Sequence, residues 1–289
     1  MVINTDIRSI AAHRDAKTQD VNLRRAQERL SSGVRLNSAA DDAAGMAIAT
    51  KMQAQSRGLD RAELNIGEGI NFLTVADGTA SVICDKLNRV RELAVYALND
   101  TQTDEDREII DTEVQFLFDG TDDAAMNYTY NTIPVAGPQN NDENFWIQVG
   151  ANAMHGLMIE LYEMTSRALF NDPPGPDYPP GTSIDAGRPR VLDIAQATEA
   201  LEKTDAALDY VNGKRAYYGA LMNTLQHLES FNRIGSLNLQ DAASRIYDAD
   251  MAKEVMNQSK SMVMMNASLA MISQAHQDKQ RVMSLLGMQ

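Results

Sequence analysis

The positions of the prolines constrain the fold of this chain more than any other feature of its sequence. All eight prolines lie between Pro134 and Pro189, so the 133 residues before this stretch and the 100 residues after it contain none. Proline breaks helices because it lacks an N–H group and its ring clashes with the preceding turn. The distribution therefore predicts two long helical arms joined by a short central segment.

Hydrophobic spacing in the first arm indicates one unusually long helix. Apolar or small residues recur at alternating intervals of three and four residues from Leu59 to Ala97. This is a heptad pattern, and it is sustained for more than five repeats. A helix that begins near Asp42 would contain roughly 55 residues and measure about 80 Å at 1.5 Å per residue.

The second arm carries a matching pattern. The same spacing runs from Ile194 to Leu225, with polar residues at Thr204 and Arg215. Two such helices in one chain can pack antiparallel as a bundle. A third helix is predicted from about Asp104, because Thr103 and its neighbours can cap its start. Its apolar side is expected to be formed by Ile109, Ile110, Val114 and Leu117, so that three helices share one core.

The two ends of the chain each carry a single apolar stripe. The first end stops at Ser31-Ser32-Gly33, where glycine suits a left-handed helix cap, and the last segment opens after Asp250, a predicted N-cap. A lone amphipathic helix cannot bury its own stripe, so the ends must pair with each other or with other subunits.

The centre of the chain alternates with a period of two. Apolar residues alternate on either side of a turn-rich segment from Gly150 to Gly156, which predicts a β-hairpin near residues 145–161. The segment DPPGPDYPPG, residues 172–181, predicts an extended connection. The expected fold is all-α dominated: a long antiparallel coiled-coil-like bundle formed by both ends of the chain, with a small central hairpin. Residues 1–44 plus 250–289 are predicted to form a terminal-helix domain, and residues 45–249 a rod-like domain.

Charge and composition exclude several classes of function. The formal charge of −14, with a pI near 4.7, offers no basic surface for nucleic acid. No apolar run approaches the roughly 20 residues needed to insert into a membrane. Cys84 is the only cysteine and the four histidines are scattered, so neither a disulfide nor a metal motif is expected, and no cofactor is predicted. The first residues lack the pattern of a cleaved secretory signal.

A structural role explains the polar clusters more simply than a catalytic role does. The carboxylate pairs Asp41-Asp42, Asp122-Asp123 and Asp248-x-Asp250 are interpreted as helix caps or solvated faces. The Met-rich stretch SMVMMNASLAM has helical spacing, so packing explains it better than a metal site does. Cys84 lies beside the heptad residue Ile83 and is expected to be an apolar filler. The chain is therefore predicted not to be an enzyme.

Several segments carry a resemblance to a known family. The stretches LSSGVRLNSAADDAAGMAIATKMQAQSRGL (residues 30–59) and LNRVRELAVYALND (residues 87–100) resemble the N-terminal signature of bacterial flagellins. SRIYDADMAKEVMNQSKSMVMMNASLAMISQAHQ, followed by VMSLL, resembles the flagellin C-terminus. The central FWIQVGANAMHGLMIELYEMTSRAL is similar to the hairpin of short flagellins without large outer domains. Its tryptophan and the DMAKE motif also resemble spirochaete core flagellins.

The resemblance implies a structural subunit that polymerises into the flagellar filament for motility. Export would proceed through the flagellar type III apparatus, giving a secreted filament that is extracellular, or periplasmic in a spirochaete-like host. The implied partners are further copies of the chain, an export chaperone, the filament cap and the hook-filament junction proteins. The terminal helices would supply the polymerisation core, for which the candidate residues are Ile3, Ile7, Ile10, Leu23, Leu30, Met262, Met265, Leu269, Ile272, Leu285 and Leu286.

Three further residues match positions through which the vertebrate flagellin-sensing Toll-like receptor recognises members of the family. These are Arg89, Leu93 and Glu113, and their helical pattern predicts exposed positions. Arg89 and Leu93 are four residues apart and so share a helix face.

Two other functions remain open at this point, whereas a third rival, an enzyme built on a helical bundle, lacks a convergent set of polar residues. A hook-filament junction protein is also helical at both ends, although NSAADDAAGMAIA and the C-terminal motifs weigh against it. A non-flagellar coiled-coil scaffold would need the heptads but not the motifs specific to the ends of the chain.

Overall fold

The structure is a computed structural model that describes residues 7–138, 145–170, 187–285 and 287. Its helices are α1 Ile7–Ser32, α2 Ala43–Ala97, α3 Asp104–Asn127, α4 Ser166–Leu169, α5 Ile194–Tyr247 and α6 Met251–Leu285. Its strands are β1 Thr129–Tyr130, β2 Ile133–Pro134, β3 Phe145–Gln148 and β4 Gly156–Ile159. The helix-dominated fold with a small central hairpin is confirmed. The predicted proline-rich connection at residues 172–181 lies outside the described residues.

Helix α2 follows from its cap and its heptad pattern. The backbone N–H of Gly45 donates to the Asp42 carboxylate at 2.9 Å, which satisfies a donor that the first turn leaves free. The helix then runs for 55 residues, as the spacing predicts. Ten of the predicted heptad positions are buried: Ala62, Ile66, Leu73, Ala76, Ala80, Ile83, Leu87, Val90, Ala94 and Ala97.

Helix α3 begins with a capping box. Thr103 accepts a hydrogen bond from the backbone N–H of Asp106, whose carboxylate accepts one from the backbone N–H of Thr103. Val114 and Phe118 are completely buried on the side that faces the core. The prediction that Ile109 belongs to this side is wrong, because its side chain is 71% exposed. Periodicity could not choose between the adjacent Ile109 and Ile110.

The predicted hairpin forms from antiparallel β3 and β4, with Phe145 opposite Ile159 and Gln148 opposite Gly156. The Asn65 amide donates to the carbonyl of Gln148 at 3.3 Å, and the Asn232 amide donates to the carbonyl of Val149 at 2.7 Å. Helices α2 and α5 therefore both hold the hairpin. Gly69 permits this close packing, since a Cβ there would lie 2.4 Å from Ile147 Cδ1.

The chain divides into two compact units. The terminal unit comprises Met1–Ser56 and Leu237–Gln289, and the central unit comprises Arg57–Ser236. One continuous hydrophobic core fills the central unit, with contributions from α2, α3, α5 and the hairpin. Val211, Tyr218 and Leu225 of α5 are completely buried in it. The prediction that three helices share one core is confirmed.

The terminal unit pairs α1 with α6 and joins the segments next to them. The N–H of Arg35 donates to the carbonyl of Tyr247 at 2.7 Å, and the N–H of Ala249 donates to the carbonyl of Gly33 at 3.0 Å. Gly33 adopts a φ of 73°, the left-handed conformation predicted for the cap of α1. Within the described ranges, no helix has the length and hydropathy required to span a membrane.

Candidate assembly surfaces

The terminal helices expose much of their apolar surface in the single chain. Ile7 is 74% exposed, Ile10 is 60% exposed and Leu269 is 52% exposed. Met262 is exposed as well, as are Val21, Met251, Val255, Met256, Val263, Met264 and Met271. Such side chains mark an interaction surface when they are contiguous on an element.

Other residues predicted for the polymerisation core differ in their surroundings. Leu23 is buried within the chain, whereas Leu30, Met265 and Ile272 are half-buried. Ile3 and Leu286 lie outside the described residues, and of Leu285 only the helical backbone is described. Part of the apolar stripe of α1 is thus buried within the chain, whereas most of the apolar stripe of α6 remains exposed.

The contact between the end of α1 and the start of α6 is polar. Arg29 Nη1 lies 3.4 Å from the Glu254 carboxylate, and the Asn257 amide donates to the same carboxylate at 3.3 Å. Glu254 and Ser261 are the buried residues of α6, and no apolar side chain described on this helix is buried. The pair therefore gains little of the hydrophobic stabilisation that a heptad interface provides.

Asp250 begins α6 as predicted. Its carboxylate accepts a hydrogen bond from the backbone N–H of Lys253 at 3.2 Å. The interpretation of Asp42 and Asp250 as helix caps is confirmed. The joined segments around Val34 and Asp248, which form an isolated β-bridge, escaped the sequence analysis because one bridge leaves no periodic pattern.

A surface ion pair joins α2 and α3 in the central unit. Arg89 donates from Nε and Nη2 to one oxygen of Glu113, at 3.2 and 3.0 Å, and from Nη1 to Glu92 at 3.1 Å. The hydrogen bond to Glu113, followed by that to Glu92, raises the pKa of Arg89 above its usual value. Leu93 does not share this surface, since it is only 6% exposed. The expectation of an exposed Leu93 is wrong, because its side chain belongs to the hydrophobic core of the central unit.

A buried ion network anchors the segment that follows the hairpin. The Asp122 carboxylate accepts hydrogen bonds from the backbone N–H and the hydroxyl of Ser166, each at 2.6 Å, and pairs with Arg188. The interpretation of Asp122 as a cap or solvated residue is wrong, because the residue is buried. Asp111 acts similarly, accepting from the N–H of Val191 at 2.9 Å. These partners are 44 to 80 residues away in sequence, so local patterns could not reveal them.

Cys84 occupies the core side of α2. Its thiol donates to the Asn212 side-chain oxygen at 3.6 Å. Burial raises the pKa of the thiol, although the Arg215 guanidinium opposes this shift. A thiol held in its protonated form is a poor nucleophile, which agrees with the role of an apolar filler.

Two buried carboxylates of α3 have structural partners. Asp111 and Asp122 accept hydrogen bonds from arginines and backbone amides. Among the residues that the structure describes, no group of three or more His, Cys, Asp and Glu side chains is placed to hold a metal ion.

Comparisons with known proteins cover nearly the whole chain. Residues 3–135 match the bacterial flagellin N-terminal helical region, and residues 201–286 match the bacterial flagellin C-terminal helical region. A flagellin of Halalkalibacterium halodurans is 34% identical over 286 residues, which cover 99% of this chain and all of the relative. The flagellar filament 33 kDa core protein of Treponema phagedenis is 33% identical over 297 residues, with the same coverage of both chains.

Solved structures also resemble the fold, and one of them illustrates the likeness. The structure of a putative flagellar hook-associated protein from Vibrio parahaemolyticus superposes with a TM-score of 0.57 at 14% identity, covering 72% of this chain and all of that chain. At this identity the likeness concerns the fold alone. The full-length sequence matches are the ones that bear on function.

Proposed function

Because the chain belongs to the bacterial flagellin family and is a structural subunit that polymerises into the flagellar filament, we propose that its two units divide the work of folding and assembly. The central unit folds by itself. The terminal unit, with α1 and α6 as its main elements, supplies the polymerising surface and completes its folding during assembly. The sequence predicts this division at residues 44 and 250, and the two compact units, Met1–Ser56 with Leu237–Gln289 and Arg57–Ser236, support the proposal.

The observation that carries the proposal is the apolar face of α6. No described apolar side chain of α6 is buried in the single chain, whereas eight are exposed. Ordering 35 residues as a helix costs conformational entropy for each of them. An isolated helix rarely offsets that cost without burying its stripe. Contacts with neighbouring copies would bury it, and every added subunit repeats the gain.

The test of this proposal is a charge placed on the exposed face. Burying one side chain such as Leu269 is worth roughly 1.5 to 3 kcal/mol. Leu269→Asp loses that contribution and also places a carboxylate where water is excluded. We expect a monomer with nearly unchanged circular dichroism that forms no filaments under conditions where the parent assembles, as seen by negative-stain microscopy.

The matched control is Gln274→Asp, which adds the same charge at an exposed polar position of α6. This variant should still form filaments. Filaments of normal length from Leu269→Asp would show that this face of α6 does not drive polymerisation. Loss of assembly in both variants would show that charge anywhere on α6 is prohibitive and that Leu269 has no special part.

The partners beyond further copies of the chain follow from family membership. We propose export through the flagellar type III apparatus with a dedicated chaperone, followed by addition of subunits between the hook-filament junction and the filament cap. The finished filament is extracellular, or periplasmic in a spirochaete-like host such as that of the Treponema relative. The proposed role is wholly structural, without catalysis.

Recognition by the vertebrate flagellin-sensing Toll-like receptor is a second proposed interaction. Arg89 and Glu113 support it, because their side chains are each half exposed and fixed to one another across two helices. Leu93 would act indirectly, by packing beneath the pair. An ordered guanidinium at a surface needs little further loss of entropy on binding.

Arg89→Ala should weaken receptor binding by about tenfold or more, as expected for an arginine at the centre of an interface. The control is Arg91→Ala, which removes an equally exposed arginine that pairs with Asp205 instead. Surface plasmon resonance with the receptor ectodomain measures both. Equal binding by parent, Arg89→Ala and Arg91→Ala would refute the proposed surface.

A further inference from the structure

A polar cleft lies between α1 and α6 in the terminal unit. It has a volume of about 330 Å³. Roughly ten water molecules would fill that space at about 30 Å³ each, so the cleft can admit a small ion together with part of its hydration shell. Its walls carry three cationic side chains and several neutral donors, among them Arg25, Arg29 and Lys260 with Asn22, Asn257 and Ser261.

The charges in this cleft do not balance. Glu254 is its single carboxylate, and it is already paired with Arg29 at 3.4 Å. Arg29 also lies 3.9 Å from Asp41. Arg25 and Lys260 form no ion pair with any residue that the structure describes, although both line the cleft. Two positive charges are therefore left without an anionic partner on one polar surface.

This local excess of positive charge contrasts with the net charge of the whole chain. The chain has a net charge of −14, so general attraction for anions is absent. Guanidinium and ammonium groups with amide donors form the hydrogen-bonding set that oxyanions prefer. An anion held there would contact donors from both helices and would favour the paired state over separated helices.

We propose that the cleft of Arg25, Arg29 and Lys260, hereafter the anion cleft, binds a doubly charged inorganic oxyanion, phosphate or sulfate, and that binding stabilises the paired α1 and α6. The inference rests on the proposed function, in which these helices become ordered during assembly. An ion that binds only the ordered pair lowers the free energy of the assembled state by mass action. The anion would thus promote polymerisation through a site, in addition to any screening of repulsion.

The experiment compares two salts at equal ionic strength and low concentration. The critical concentration for seeded assembly is measured in about 10 mM sodium sulfate and in about 30 mM sodium chloride, between which the Debye length does not differ. For a dissociation constant near 1 mM, sulfate should lower the critical concentration by about tenfold relative to chloride. Sodium phosphate at the same ionic strength should act in the same direction.

The variant that tests the cleft is Arg25→Gln with Lys260→Gln, which removes both unpaired charges and keeps hydrogen-bonding side chains. Its critical concentration should be equal in sulfate and chloride. The control is Arg24→Gln with Lys253→Gln, which changes the net charge equally on the same two helices outside the cleft lining. This control should keep the tenfold difference.

A carboxylate from a neighbouring copy could satisfy the same donors, and the experiment separates that source from a free ion. In that case the Arg25→Gln, Lys260→Gln variant would assemble poorly in both salts, and the parent would show no preference for sulfate. This result would overturn the proposal without affecting the subunit's role in the filament, because parent assembly in chloride measures that role independently.

A direct measurement covers the outcome in which the double variant does not assemble at all. Equilibrium dialysis of parent filaments with labelled sulfate should show about one bound ion per subunit at millimolar concentration, displaced by phosphate. The single variant Lys260→Gln should reduce this occupancy severalfold. Parent filaments that bind no sulfate at these concentrations would overturn the proposal.

Discussion

The two units of this chain differ most in where they place charge and apolar surface. The terminal unit contains 13 Lys and Arg against 11 Asp and Glu, a formal charge of +2, whereas the central unit contains 13 against 29, a formal charge of −16. Of the 37 hydrophobic residues buried among those described, 32 lie in the central unit and five in the terminal unit. The central unit is acidic and holds most of the buried hydrophobic residues, whereas the terminal unit is nearly neutral and buries few.

Under the proposed division of work, this difference keeps folding separate from assembly. The buried core would let the central unit fold in a single chain, and its negative charge would keep copies apart. The near-neutral terminal unit would let the same copies approach where their apolar faces meet. Polymerisation would then bury side chains that folding leaves exposed, so that the filament and the fold would depend on different residues.

The largest expected effect concerns the buried core of the central unit. Leu225 is completely buried, and Leu225→Ala should lower the free energy of unfolding of the monomer by about 2 to 5 kcal/mol. Chemical denaturation followed by circular dichroism measures this loss. The control in the same unit is Leu64→Ala, where the side chain is 59% exposed and a change within about 0.5 kcal/mol is expected.

A leucine-to-alanine substitution in the terminal unit provides the matching test of the difference between the two units. Leu269→Ala should leave the monomer's unfolding within about 0.5 kcal/mol of the parent and should instead raise the critical concentration for assembly. If Leu269→Ala destabilised the monomer as much as Leu225→Ala does, the terminal unit would be folded before assembly. The proposed separation between the two units would then be wrong.

A smaller effect is expected from charge. Raising sodium chloride from about 0.01 M to about 0.15 M shortens the Debye length from about 30 Å to about 8 Å, so repulsion between central units should fall and assembly should accelerate. Replacing three exposed carboxylates of α3, in the variant Glu105→Gln, Glu108→Gln, Asp123→Asn, should give part of this acceleration without salt. Light scattering of seeded assembly measures the rate, with an expected gain of severalfold.

The matched control removes three carboxylates from the terminal unit instead, in Glu28→Gln, Asp241→Asn, Asp278→Asn. Because that unit is already near neutral, its rate at low salt should change less. A steady decrease of the parent's rate with added salt would contradict the account, since attractive charge pairing would then dominate the contacts between subunits.

Much of this architecture could be predicted from the sequence, because long helices leave strong local signals. The heptad positions from Ala62 to Ala97, the caps at Asp42, Thr103 and Asp250, and the alternating residues of the hairpin all depend on neighbours within a few residues. The left-handed Gly33 belongs to the same class. Each of these features depends on local chemistry that the sequence shows directly.

The features that escaped prediction depend on which elements meet in space. Leu93 looks exposed on α2 alone, and it is buried because it belongs to the core that several elements of the central unit form together. Asp122 looks like a surface carboxylate until Ser166 and Arg188 reach it from the segment after the hairpin. The anion cleft combines residues more than 200 positions apart, so no pattern within one helix could indicate it.

Hydrogen exchange of backbone amides in monomer and filament tests the central claim most directly. The account predicts that, in the monomer, amides of α2 between Ile66 and Ala94 exchange slowly whereas those of α1 and α6 exchange nearly as fast as an unfolded chain, because few buried apolar contacts hold the terminal helices. In the filament, all three helices should be protected. Equal protection of α6 in the monomer and the filament would contradict the account, because the terminal unit would then be ordered without assembly.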